Sequence, residues 1–152
     1  MPDSGVIYWK GKPLQQADVR TFGYLPEERG LYPKMKLYEQ LLYLAQLREM
    51  PKAEAQQQIK KWLHHFDLQE HANKKINSLS KGMAQKAQFI ATVIHRPQLL
   101  ILDEPFSGFD PVNTQLIKEE IIKLRQAGAT ILLSTHRMES VEELCDDIAL
   151  IH

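Results

Sequence analysis

The stretch LLILDEPFSGFD, residues 99–110, runs four aliphatic residues straight into two adjacent carboxylates, Asp103 and Glu104, and then a proline. An apolar run of this length, closed by acids and a residue that cannot continue a ladder, predicts a fully buried strand whose C-terminal tip lies in a polar site. Open α/β sheets hold their ligands outside such tips. Acids placed there are candidates for chemistry, although Asp-Glu-Pro also serves simply to end a strand and begin a turn.

Outward from this stretch the pattern alternates. The spacing predicts a helix from about 82 to 95, a strand over 99–103, a helix over 112–126, a strand over 129–134, a helix over 138–145 and a strand over 147–151. Strands alternating with helices of ten or more residues imply a parallel sheet built from βαβ units. Further upstream, GVIYWKGKPL (5–14) reads as a strand and tight turn, 21–25 as a short strand, and PEERGLYP (26–33) as a charged loop. Leu37, Leu41 and Leu44 repeat at helical spacing, as do Ala55, Ile59, Leu63 and Phe66 after a break at Pro51, predicting two amphipathic helices joined by a short turn. The expected organisation is three segments: 1–33, a helical subdomain over 34–95, and 96–152.

Composition narrows the partners. Lysine plus arginine and aspartate plus glutamate number 19 each, so the whole-chain field favours neither nucleic acid nor an anionic membrane surface. The single cysteine, Cys145, excludes an intrachain disulfide framework and fits a reducing compartment. No window approaches the roughly 18 apolar residues of a spanning helix, and MPDSG lacks the features of a signal peptide, so a soluble, cytoplasmic chain is expected.

In P-loop nucleotide hydrolases an aspartate at the end of a buried aliphatic strand helps hold the magnesium that bridges the phosphates, and Asp103 fits that place. Glu104 beside it can accept a proton from an attacking water, because a dry, negatively charged surrounding strengthens a carboxylate as a base. A second apolar strand, ATILL, ends in STH (134–136), which puts His136 on the same sheet edge, able to donate to a phosphate oxygen or to the attacking water. Upstream, NSLSKGM begins a helix with Ser80 as a cap and Gly82 where a ligand can approach the backbone, an anion-binding arrangement that an ordinary serine-capped helix also satisfies.

The ordered set LSKGM, LLILDEP, SGFD and STH resembles the signature motif, Walker B motif, D-loop and switch histidine of the nucleotide-binding domain of the ATP-binding cassette (ABC) superfamily. FGYLPEERGLYP is similar to the loop that precedes the helical subdomain in that family, so the resemblance spans nearly the whole chain. The loop and the LSKG variant look most like ATPases of bacterial exporters whose membrane subunits are separate chains. The implied fold is a P-loop-NTPase-like α/β parallel sheet, incomplete here, with an all-helical signature subdomain. The implied ligands are ATP and Mg2+, with Asp103 in the metal shell, Glu104 as general base and His136 on the γ-phosphate. Asp110 is implied as the D-loop acid that meets a second nucleotide-binding subunit, and Ser80, Lys81 and Gly82 as the signature that meets the partner's nucleotide. Lys81 stands where the signature usually has its first glycine, and Glu27 where the loop usually has glutamine. A carboxylate can order water near magnesium but lacks the amide's hydrogen-bond donor.

The phosphate-cradling loop G-x-x-x-x-G-K-[ST] is not found in these residues, whose seven glycines lie too far apart to form it. In the family that loop lies just before the region resembling GVIYWKGKPL. The expectation is therefore a fragment of an exporter ATPase that is inactive alone, self-associates through its uncovered apolar edge, and belongs at the inner face of the membrane through a transmembrane permease subunit. The alternative is a non-catalytic module that pairs with an intact cassette subunit and lends it a signature motif.

Other patterns carry less. Ser78 to Lys81 spells S-x-x-K without the companion motifs of penicillin-binding enzymes. His64, His65, Asp67 and His71 do not share one helix face and read as a solvated surface, as do the pairs Lys60–Lys61 and Lys74–Lys75.

Overall fold

The computed structural model describes residues 4–28, 30–136 and 138–150. The chain opens with an antiparallel ribbon of β1 (Tyr8–Trp9) and β2 (Lys12–Pro13), followed by the short helix α1 (Gln16–Val19) and strand β3 (Phe22–Leu25). Helices α2 (Leu37–Leu47), α3 (Lys52–His65) and α4 (Lys81–Val93) lead to β4 (Leu99–Asp103), α5 (Pro111–Gln126), β5 (Thr130–Ser134) and α6 (Met138–Leu144). β3, β4 and β5 form one parallel sheet in that order, with Leu100 opposite Gly23 and Ile131, and Asp103 opposite Ser134.

Both crossovers advance in the same direction along the sheet, and right-handed connections then return their helices to the same face. On that face Gly23, Leu25, Leu100 and Leu102 are buried. Gly23 has no room for a side chain: a Cβ there would lie 2.7 Å from the Thr92 carbonyl oxygen of α4 and 2.9 Å from Leu100 Cδ1. The helix therefore sits directly on the sheet backbone. The opposite face is open, and across it run Tyr24, 54% exposed, half-buried Ile101 and Leu132, 61% exposed. β4 is thus covered fully on one side and partly on the other, where its unbroken aliphatic run predicts burial on both.

The helices account for the rest of the core. On α2 Leu37, Leu41 and Ala45 are buried, and on α3 Ala55, Ile59 and Leu63, the i, i+4 stripe expected from the sequence. Phe66, just past α3, packs its ring 5.7 Å from that of Trp62 and 5.9 Å from that of Phe89 of α4. Ser80 caps α4 by accepting from the Met83 amide at 3.2 Å, and Asp110 caps α5 by accepting from the Asn113 amide at 3.0 Å, with Pro111 in the first turn.

One expectation needs correction. Residues 147–150 form no strand, and Ile148 and Leu150 are exposed; among the described residues no strand runs beside this segment, and a strand exists only as half of a pair. Residue 151 lies outside the described residues. His64, His65 and Asp67 are exposed, as read from the sequence, and His65 also gains a partner there, its Nε2 lying 2.9 Å from the carboxylate of Glu120, a buried acid of α5. The sequence of α3 alone holds no sign of that partner.

His95, at the join between α4 and β4, links pH to stability. Its Nε2 lies 3.1 Å from the Phe22 carbonyl oxygen, which only accepts, so Nε2 carries the hydrogen; buried Nδ1 has no hydrogen-bond partner among the described residues. Charging the ring would put a second, unpaired N–H into the interior. Burial accordingly holds the His95 pKa below its ordinary value, opposed by the Phe22 hydrogen bond and aided by the Arg48 charge. The unfolded chain takes up this proton near pH ~6.5 and the folded chain only lower, so the stability involved is present above about 6.5 and is lost as pH falls through the window beneath it. The urea midpoint is expected to fall between about pH 7.5 and 5.5 by more in the unaltered chain than in His95→Gln. Equal falls would mean that His95 has no part in the pH dependence.

Candidate functional site

The C-terminal tips of β4 and β5 meet at one rim. Asp103 ends β4, and its Oδ1 accepts from the Ser134 hydroxyl at 2.6 Å. Glu104 follows in a left-handed backbone conformation, φ 45°, which is uncommon for a residue with a side chain and marks a strained turn. The ladder holds it there: its amide donates to the Ser134 carbonyl at 2.9 Å, and its carbonyl accepts from the Ser107 amide at 3.0 Å.

That turn aims the Glu104 carboxylate at β5. Oε1 accepts twice from His136, from the backbone amide at 2.8 Å and from ring Nδ1 at 2.7 Å, while Oε2 accepts from the Thr135 hydroxyl at 3.2 Å. With Nδ1 donating to the acid, the outer nitrogen Nε2 faces solvent. The acid's side chain is 15% exposed and the imidazole 80% exposed, so a protected carboxylate presents an open ring.

A cavity of about 290 Å³ lies beside the rim. Glu27, Lys81, Gln85, Glu104 and Ser107 are among its walls, which brings the charged loop after β3 and the start of α4 to the same space as the Glu104 turn. Gly108 is required here: its φ is +75°, and a Cβ would fall 2.6 Å from Lys81 Cε. Ser80, Gly82 and Asp110 lie together at two adjoining helix starts, with Asn113 Nδ2 of α5 3.9 Å from where a Gly82 Cβ would stand. The Asn113 amide, and then its side chain, hold the Asp110 carboxyl below the usual carboxylate range, so Asp110 stays charged as a cap. These three residues are not on the rim of Asp103, Glu104 and His136.

Residues that the sequence did not single out do much of the positioning. Gln85 donates to the Ser107 carbonyl, and Gln88, buried, donates to the Pro26 and Glu28 carbonyls at 3.2 Å each, tying both loops of the cavity to α4. Gln85 and Gln88 stand at i, i+3 on one side of α4, next to the buried Ala84, Ala87 and Phe89, which is the signal that marks them. Ser134 and Thr135 fix the two acids just as His136 meets them.

No group of three or more histidine, cysteine, aspartate or glutamate side chains suited to a metal exists among the described residues. Asp103 fits magnesium on other grounds: Mg2+ in phosphate-transfer sites takes one or two carboxylates, with substrate oxygens and water filling its remaining positions. One half-buried carboxylate at a strand tip, oriented by a serine hydroxyl, is a suitable donor.

A one-sided parallel sheet with acids and an imidazole at its strand tips is an α/β domain with a ligand site on that rim. A family model described as ABC transporter matches residues 1–107, and the chain belongs to that family. It is 54% identical over 147 residues to the uncharacterized ABC transporter ATP-binding protein YhaQ of Bacillus subtilis, covering 97% of this chain and 49% of the relative. It is 35% identical over 153 residues to the linearmycin resistance ATP-binding protein LnrL of the same organism, covering 98% and 49%. The solved structure of an ATP binding subunit of an ABC transporter superposes with a TM-score of 0.86 at 33% identity, over 95% of this chain and 62% of that one. The chain spans about half the length of these curated relatives.

Proposed function

We propose that these residues are the signature, Walker B and switch-histidine part of an ATP-binding, ATP-hydrolysing subunit that energises export through a separate membrane subunit. The observation that supports the reading most is the pairing of Glu104 with His136 beside Asp103. A base for water, a donor for phosphate and a carboxylate for magnesium stand within one turn of chain on each of two strands.

In this reading Asp103 holds Mg2+, which when bound neutralises charge on the transferring phosphate. Glu104 orients the attacking water and takes its proton. His136 keeps Nδ1 on that acid and turns Nε2 toward a γ-phosphate oxygen. Glu27 orders water at the far side of the cavity. Ser80, Lys81 and Gly82 present the start of α4 to a nucleotide held by a second subunit, and Asp110 lies at that interface. The helical insert of about residues 34–76 docks on the permease, which keeps the chain at the cytoplasmic face of the membrane; no helix among the described residues is long and apolar enough to cross it. The resemblance of YLPEERGLYP to exporter ATPases, and a relative named for linearmycin resistance, favour export over import.

These residues supply no amide cradle for the α- and β-phosphates. The 152-residue chain alone is therefore expected to show no ATP turnover above background. Mixed with an intact cassette subunit whose own signature is disabled, it is expected to restore hydrolysis at one site, and Ser80→Arg in this chain to abolish the rescue. Turnover by the chain alone, lost in Glu104→Gln, would contradict the inactive reading. Rescue in the mixture would favour the signature-lending module as the role of these residues, since the site so completed takes its phosphate loop and its base from the intact subunit.

A further inference from the structure

A second cavity, about 490 Å³, lies between α3, the end of α4 and α5, and none of the rim residues lines it. Its walls join two kinds of surface. Trp62, Val93 and Leu124 form an apolar side, with the Trp62 ring held in place by stacking on Phe66. Lys61, Arg96 and Lys123 form a cationic mouth.

One carboxylate sits among these cations, and it is already occupied. Glu120, buried, takes Lys123 Nζ at 2.6 Å and His65 Nε2 at 2.9 Å on the same oxygen. Arg96 lies 3.8 Å from Glu54, an exposed and loose pair. Lys61 has no ion pair among the described residues. Against three cations stand one buried acid and one distant one, so the mouth keeps a positive excess over an apolar wall. A neutral apolar molecule would leave that charge unused, and a small inorganic anion would leave the tryptophan side unfilled. The volume lies within the range of small-molecule sites, roughly 300–1,000 Å³.

We propose that this cavity binds a small aromatic acid: a flat apolar body lying against Trp62, with one carboxylate or sulfonate held between Lys61, Arg96 and Lys123. The site joins the helical segment to α5, so its ligand clamps the two and raises the stability of the folded chain by mass action.

8-Anilinonaphthalene-1-sulfonate is a suitable probe, titrated into the 152-residue chain carrying Trp9→Phe so that Trp62 is the sole tryptophan. Saturable quenching of Trp62 is expected, with affinity falling as salt rises. Lys61→Gln combined with Lys123→Gln should weaken it about fivefold or more, by loss of two partly exposed charge contacts. N-phenyl-1-naphthylamine, which lacks the sulfonate, should bind more weakly by a similar factor. Lys61→Gln alone guards the result, since Lys61 touches no buried acid and its loss leaves the Glu120 pairing intact. Equal affinity for the two probes, affinity unchanged in the double variant, or probe fluorescence without Trp62 quenching would each overturn the proposal. Displacement by an acidic peptide but not by 1-naphthoate would also overturn it, in favour of a protein partner.

Discussion

Joined to the phosphate-loop segment of another ABC ATP-binding subunit, the chain is expected to turn over ATP, and Glu104→Gln to slow that turnover by about two to four orders of magnitude. Glutamine keeps the shape of the side chain and its carbonyl can still accept from His136, so the turn at the strand tip survives. What it loses is the ability to take a proton. Nucleotide affinity should stay roughly unchanged, because binding rests on the phosphate loop and on magnesium, and a lower rate at unchanged affinity identifies a group that acts in the transition state. The free edge of β5 and the open face across Tyr24, Ile101 and Leu132 give such a segment apolar surface to cover. Steady-state hydrolysis with a parallel measurement of nucleotide binding checks both halves of the expectation. A rate within about threefold of the unaltered chimera would remove Glu104 from the chemistry.

The second large effect is structural. Phe66 has no accessible surface, and its ring packs against Trp62, His65 and Phe89 at centroid separations of 5.7, 5.2 and 5.9 Å. It joins the end of α3 to α4, and α4 in turn holds the cavity loops through Gln85 and Gln88. Phe66→Ala removes a ring from the centre of that cluster and leaves a void, at a cost of about 3–5 kcal/mol. A domain of this size has only about 5–15 kcal/mol in total. With a urea dependence of roughly 1–3 kcal/mol per molar, the unfolding midpoint should fall by at least about 1 M. Val112→Ala, at a position 80% exposed, should shift it by no more than a few tenths of a molar. Similar shifts for the two would mean that the aromatic cluster is not packed as described.

Much of this architecture is legible in the order of residues alone, because it rests on local signals. The aliphatic run before Asp103 places β4, the run before Ser134 places β5, Ser80 marks where a helix begins and Pro51 where one stops. The meeting of Glu104 with His136 is also legible, since the tips of neighbouring parallel strands fall on one edge. What stays hidden depends on contacts distant in sequence. Glu120 finds His65 across 55 residues, and Gln88 finds the Pro26 carbonyl across 62. Neither pairing leaves a trace in the periodicity of its own helix. Burial misleads in one place: an unbroken aliphatic strand is read as covered on both faces, while the crossovers bring helices to only one. The apolar segment after α6 fails as a strand for a related reason, since propensity supplies no partner.

The carboxylate of Glu104 and the imidazole of His136 are held to work as one unit at the sheet rim, and on this the proposed chemistry depends. A double-mutant cycle on the hydrolysing chimera tests it most directly, comparing Glu104→Gln, His136→Ala and both together. The double variant is expected to be scarcely slower than the worse single variant, as for groups that act together. Rate losses that multiply in full would show two independent residues and contradict it.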